Sequence, residues 1–209
     1  MGLTRTCTVD VDEFTSYVSD AFDYTFDGVS TFDPPKFEKP SGDFSIGLII
    51  GSSGSGKTSL LREHYGYSDV KLDWNPHKSV LSHFSSPKCA VDRCFAAGLG
   101  SVPTLCKPFH VLSNGEQYRA IVARLIGDGA MIDEFTSVVN RETAKSLSVS
   151  IRKYIMRSGL KGVVFSSCHT DIIDFLCPDW IFDCNSGLFS REIKPHDDMQ
   201  KVAEVRWYV

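Results

Sequence analysis

Eight consecutive residues carry the strongest chemistry in the chain: Gly51, Ser52, Ser53, Gly54, Ser55, Gly56, Lys57 and Thr58. They satisfy the phosphate-loop pattern, a glycine, four residues, then Gly-Lys-Thr. Glycines let the backbone curl so that successive N–H groups point inward at phosphate oxygens, and the N-terminus of a following helix adds positive potential. Lys57 would bridge the β- and γ-phosphates of a nucleotide. The Thr58 hydroxyl would ligate Mg²⁺, with Ser59 beside it at the helix start. Such a site needs a second acid for the magnesium, at the end of a neighbouring strand. Met131-Ile132-Asp133-Glu134 supplies it. Asp133 would reach the metal through water, and Glu134, one residue farther out, can polarise a water aimed at the γ-phosphate.

These residues need elements to position them. Phe44 to Ile50 is a short apolar run that stops at Gly51, which suits a buried strand of a parallel sheet, and a helix should follow from Lys57. Asp69 to Trp74 is a second strand expectation, and Lys78 to Leu112 mixes short helical patterns with Pro and Gly. Ser113 and Glu116 form a capping box that starts a helix through Leu125; Ala130 to Asp133 is then a strand. Asn140 caps a helix whose Ala144, Leu147, Ile151 and Ile155 recur at helical spacing until Gly159. Gly162 to Ser167 reads as a strand, Thr170 to Leu176 as a short helix, and Asn185-Ser186-Gly187 as a hairpin turn, before a polar tail over 194–209. The first 43 residues, with nine acidic and three basic side chains, read as short strands and a Pro-containing loop at Pro34, Pro35 and Pro40. Strands alternating with helices predict an α/β chain with a largely parallel sheet.

Composition narrows the class. With 209 residues, 42% apolar and 23% charged, the chain suits one globular domain with a real core, which excludes disordered and fibrous classes. No stretch approaches the roughly 18 apolar residues of a membrane-spanning helix, and the N-terminus is acidic where a signal peptide is apolar; a cytoplasmic protein without membrane contact is expected. The net charge of −4 argues against coating nucleic acid through bulk charge. Seven cysteines without a CxxC pair read as reduced thiols. His83, Cys89, Cys94, Cys106 and His110 share one irregular segment, but their spacing matches no familiar zinc pattern.

Leu112-Ser113-Asn114-Gly115-Glu116, followed by Arg119, Ala123 and Arg124, starts 20 residues before Asp133, counting from Ser113. Here the sequence resembles the ABC-type ATPases, whose signature usually reads LSGGQ; Asn114 and Glu116 are departures. Phe135-Thr136-Ser137-Val138-Val139-Asn140 resembles the family's P-T-S-A-L-D turn, and Ser167-Cys168-His169 ends a strand as the family's switch histidine does. More closely, LDWNPHKSVLSHF, KPFHVLSNGE, IDEFTSVVNRETAK, SCHTDIID and PDWIFD resemble soluble ABC-type ATPases fused to a predicted GNAT acetyltransferase. In such proteins the acetyltransferase follows the ATPase; this chain, ending at Val209, is expected to be a stand-alone relative or an excised domain.

The resemblance implies a P-loop NTPase of ABC type over 1–193: a mostly parallel core sheet, an N-terminal antiparallel β part and a reduced helical subdomain at about 75–128. It implies that Gly51 to Ser59 form the Walker A site, Asp133 and Glu134 the Walker B site, with ATP and Mg²⁺ bound. Ser113 and Gly115 would face the γ-phosphate held by a second subunit, in a head-to-tail homodimer formed on ATP binding, with Glu134 and His169 around the attacking water. Transport ATPases carry a loop glutamine that this chain lacks between Thr58 and the signature, so Asp73 or Asn75 takes that place near the metal-bound water. Of Tyr24, Phe26 and Phe32, Phe26 is the expected adenine-stacking residue. Only 56 residues separate Lys57 from Ser113, which disfavours a transporter motor. Arg141 to Lys161, with six basic residues and one acidic, suggests a nucleic-acid partner; the alternative is a protein partner such as an acetyltransferase acting in trans.

Overall fold

The computed structural model describes residues 4–191; the tail expected over 194–209 lies outside the described residues. A five-stranded sheet forms the core. Its strands are β3 (Ile46–Ile50), β4 (Met131–Ile132), β5 (Val163–Ser167), β6 (Trp180–Asp183) and β7 (Leu188–Arg191), in the order β4-β5-β3-β6-β7. The first four run parallel, and β7 returns antiparallel to β6 through the turn at Asn185-Ser186-Gly187. A separate antiparallel pair, β1 (Arg5–Thr8) and β2 (Val29–Phe32), precedes them.

β3 and β5 are buried along their whole length because helices cover both faces of the sheet. Leu48, Ile50, Phe165 and Ile181 point to one side, where α3 (Pro87–Ala96), α5 (Asn114–Leu125), α6 (Arg141–Ser158) and α7 (Ile173–Leu176) pack. Ile49, Val164, Trp180 and Phe182 alternate to the other, against Leu60 and Leu61 of α2 (Lys57–Tyr65). Between α3 and α5 the chain makes only a four-residue helix, α4 (Val102–Leu105), and a short turn over Phe109–Val111. The parallel register Ile50↔Ser167, together with Met131↔Val164 and Ile132↔Phe165, brings the carboxyl ends of β3, β4 and β5 to one edge. In α/β sheets ligands bind at that edge.

Two elements differ from the sequence reading. Glu13–Ala21 is a helix, α1, inserted between β1 and β2 where strands were expected; Asp12 accepts from the Thr15 N–H, and Thr15 closes a reciprocal capping box. Asp69 to Trp74 is not a strand. Its backbone is held instead by Arg124, whose guanidinium donates to the Asp73 carbonyl at 2.6 Å, and by Trp74, which stacks on Phe109 at 4.3 Å with the Arg124 guanidinium near its ring.

Candidate active site

The turn after β3 has the shape its glycines predict. Gly51, Gly54 and Gly56 take φ values of 155°, 78° and 97°. A Cβ on Gly51 would lie 2.3 Å from the Ser55 hydroxyl, and one on Gly56 would lie 2.8 Å from the Phe32 ring, so neither position admits a side chain. Lys57, only 8% exposed, spans the loop and donates to the Gly51 and Ser52 carbonyls at 2.9 and 2.7 Å. Two of its three ammonium donors are thereby used. From the β6–β7 turn, Asn185 accepts from both the Ser52 N–H (3.2 Å) and the Ser52 hydroxyl (2.9 Å), tying the loop to the far hairpin.

Asp133 and Glu134 stand beside it. The Thr58 hydroxyl donates to Asp133 Oδ2 at 2.6 Å, and the Ser166 hydroxyl donates to Asp133 Oδ1. The Glu134 N–H lies 3.0 Å from both Asp133 Oδ1 and Ser166 Oγ, which fixes the backbone at a residue with φ of 50°. The Glu134 side chain itself is exposed. One residue on, the Phe135 N–H donates to the Ser166 carbonyl at 2.7 Å, and the Phe135 ring is buried against Phe165.

Thr136 is fully buried with a φ of 76°, an uncommon conformation for a β-branched residue. Two contacts hold it there. Its N–H donates to the Tyr118 hydroxyl of α5 at 3.1 Å, and its Oγ1 lies 3.0 Å from His169 Nδ1. Burial pushes the Tyr118 phenol well above its usual range, so the hydroxyl stays protonated. The His169 N–H donates to Ser167 Oγ at 3.0 Å. Burial first, and Arg141 second, lower the His169 pKa below its ordinary value, with Asp171 opposing; Arg141 is itself paired with Asp171 at 2.5 Å. The ring is therefore neutral near pH 7.

Thus Lys57, Thr58, Asp133, Glu134 and His169 lie at one edge of the sheet: Lys57 is held by the loop carbonyls, Thr58, Asp133 and the Glu134 backbone share hydrogen bonds with Ser166, and Thr136 two residues on from Glu134 holds His169. Ser166, Thr136, Tyr118 and Asn185 surround it; the sequence marks Thr136 and Asn185 only as turn residues, and their contacts stay hidden because they cross from 18 to 133 residues of sequence. Ser113 and Gly115 stand apart from this set. Ser113 caps α5 as expected, with Glu116 Oε2 accepting its N–H and hydroxyl at 2.9 Å, and those bonds hold the Glu116 carboxyl below the usual range. Asp73 is exposed and gives α5 only its backbone carbonyl. Phe26 lies with Phe14, Val18 and Tyr24 around a 310 Å³ cavity against α1, whereas the half-buried Phe32 rests on Gly56 of the phosphate loop. Both ring nitrogens of His83 are engaged, with the Asn75 N–H and the Ser79 carbonyl, and no metal-binding cluster of His, Cys, Asp or Glu occurs among the described residues.

A dimeric, post-hydrolysis structure of the ATP-binding cassette MJ0796, bound to ADP and Pi, superposes on this chain with a TM-score of 0.56 over 82% of this chain and 94% of that one. The two are 18% identical. A second dimeric structure of MJ0796, described as a bacterial ABC transporter cassette, gives 0.55 at 16% identity, covering 76% and 88% of the two chains.

The fold is that of an ABC-type ATPase cassette.

No protein-family model matches the chain, and no curated protein matches its sequence. At these identities the likeness is one of fold, and it agrees with the parallel sheet and the antiparallel N-terminal pair described above. No helix of the described residues is long and apolar enough to cross a membrane.

Proposed function

We propose that the chain is an ABC-type ATPase that binds Mg-ATP on the Gly51–Ser59 loop and hydrolyses it at the interface of a head-to-tail homodimer. One observation carries this reading: Thr58, Asp133, Ser166 and the Glu134 backbone form one hydrogen-bonded set beside the phosphate loop, extended through Thr136 to His169. Magnesium fits this donor set. Thr58 Oγ1 and the Asp133 carboxylate are hard oxygen ligands and would hold it directly and through water, where it would neutralise phosphate charge. Lys57 supplies its third donor and its charge to the phosphates, and the loop N–H groups neutralise the rest.

Glu134 is the general base. Its backbone is clamped while its carboxylate remains exposed, so it is fixed in place yet open to a water. Neutral His169, oriented by Thr136, donates a hydrogen bond to charge developing on the γ-phosphate. Phe32, resting on Gly56, is better placed than Phe26 to stack on adenine. Ser113 and Gly115 make no hydrogen bond to the loop of their own chain among the described residues, and the dimeric state of the structural neighbours supports their delivery by a second copy.

The output is read less directly. Of the basic residues on α6, Arg141 is paired with Asp171 and Lys145 lies 3.8 Å from Glu142, while Arg152, Lys153 and Arg157 border a groove that also exposes Phe95 and Met156. An apolar lining favours a protein occupant for this groove over coupling to a nucleic acid; an acetyltransferase acting in trans is the alternative output and would engage another surface. A transporter subunit is the third reading, disfavoured by the absent loop glutamine. Two variants test the ATPase itself. Lys57→Ala should lose ATP binding, and Glu134→Gln should bind ATP but turn it over roughly 10²- to 10⁴-fold more slowly. Unchanged affinity in the first, or unchanged turnover in the second, would contradict the assignment.

A further inference from the structure

Two surfaces of this chain that lie outside the nucleotide site match each other. The first is α1. Its half-buried residues are the small polar Thr15 and Ser19, while Phe14, Tyr17 and Val18 are 72%, 74% and 50% exposed and Phe22 at its end is 76% exposed. Phe14, Tyr17, Val18 and Ala21 fall at i, i+3, i+4 and i+7, so the exposed apolar residues form one stripe along the helix. Glu13 and Asp20 run along its edge. The capping box and the β1–β2 pairing hold the helix in place, so the stripe is presented rather than frayed.

The second surface is a groove of 820 Å³ between α3 and α6. Val91, Phe95 and Met156, 40%, 44% and 56% exposed, give it apolar character, and Arg152, Lys153 and Arg157 line its α6 side against a single acid, Asp92. It is an apolar trough with a basic wall. An amphipathic helix with acidic edges is the complementary shape and charge, and helix-in-groove recognition uses anchors at i, i+3, i+4 and i+7.

We propose that α1 of one copy docks in the α3–α6 groove of a second copy, with Phe14, Tyr17 and Val18 on Phe95 and Met156, and with Glu13 and Asp20 facing Arg152, Lys153 and Arg157. The occupant is a second copy because the chain itself carries the one described helix whose exposed face is both apolar and acid-edged. A nucleic acid would leave the apolar lining unused and meet Asp92. α1 is nine residues long, about 13 Å at the usual rise per residue. A contact of that length falls below the roughly 800 Å² per partner of a stable interface, so each contact is weak. Two reciprocal contacts across a two-fold axis reinforce each other. The contact needs no nucleotide and stands independently of the ATPase reading.

The test is sedimentation of the full chain carrying Lys57→Ala, without nucleotide, over micromolar to submillimolar concentration. Reversible self-association is expected. Tyr17→Asp on one face and Phe95→Asp on the other should each weaken it by about tenfold or more, as loss of a central anchor does. Charge reversal gives the orthogonal readout. A Glu13→Lys, Asp20→Lys chain and an Arg152→Glu, Lys153→Glu, Arg157→Glu chain should each fail to self-associate, yet associate with one another, because every contact in the mixture is again between opposite charges. Apart from Lys57 of the shared background and the half-buried Arg152, the substituted positions are exposed, and circular dichroism verifies that each variant is folded. A chain that stays monomeric throughout, association indifferent to both faces, or failure of the mixed charge-reversed pair would overturn the proposal. So would a monomeric wild type whose groove variant loses binding to duplex DNA or RNA.

Discussion

Tyr118→Phe removes one oxygen atom and interrogates the link between α5 and the turn at Thr136. The hydroxyl accepts the Thr136 N–H at 3.1 Å, and Thr136 is fully buried. Without it that N–H has no acceptor, a loss of about 1–3 kcal/mol for a buried donor. In a chain of this size each kcal/mol moves the midpoint by about 2–4 °C, so thermal unfolding should shift down by roughly 2–12 °C. The kinetic consequence follows from Thr136's two roles. Its left-handed backbone sits between Glu134 and the side chain that orients His169. Releasing it lets both drift, and a misplacement near 1 Å costs up to about 10² in rate. Lys57 and Thr58 keep their own bonds, so kcat should fall while KM for ATP holds. Steady-state turnover alongside a melting curve reads both. A lowered midpoint with unchanged kcat would make Tyr118 a purely structural residue; an unchanged midpoint would mean that the bond contributes nothing.

The lowered pKa of His169 predicts a pH profile. Folding disfavours the protonated ring, so the stability it contributes is full above the unfolded value near 6.5 and is lost as pH falls from there towards the folded value. Turnover follows the folded ring, so its acid-side drop should fall below the ordinary histidine range, moving to higher pH in Arg141→Gln, which removes the nearby cation; an unmoved profile in that variant would sever the link. For the base, Phe32→Ala should weaken ATP binding by about 1–3 kcal/mol, the usual worth of aromatic stacking on a base, while Phe26→Ala should leave it unchanged. Calorimetric titration showing the reverse order would return the adenine to Phe26.

Much of the phosphate-loop edge of the sheet was legible because its residues are local. The phosphate loop, the Ser113–Glu116 capping box and the Asn140-to-Gly159 helix each declare themselves within a few residues through glycine, cap and periodicity. What the sequence concealed depends on contacts between distant segments. Thr136 is one residue of a turn, with no role of its own, until Tyr118 and His169 close on it. Phe32 and Phe26 are equivalent aromatics until the chain folds Phe32 onto Gly56. Asp69 to Trp74 has a strand's composition, yet Arg124 and Phe109 hold it through a carbonyl and a stacked ring instead of a ladder. α1 escaped because its apolar stripe is not buried, and the mixture of aromatic and acidic residues there resembles strand alternation; the Asp12–Thr15 capping box was the available signal.

The composite site is tested most directly by light scattering of the Glu134→Gln chain with and without ATP, compared with Glu134→Gln, Ser113→Arg. The first holds ATP without consuming it and should add an ATP-dependent dimer to whatever association exists without nucleotide. In the second, each monomer still binds ATP, but a bulky cation stands where the partner's γ-phosphate must come, so the ATP-dependent increase should vanish. An equal increase in both would contradict the account, since the signature serine would then have no place in the closed site.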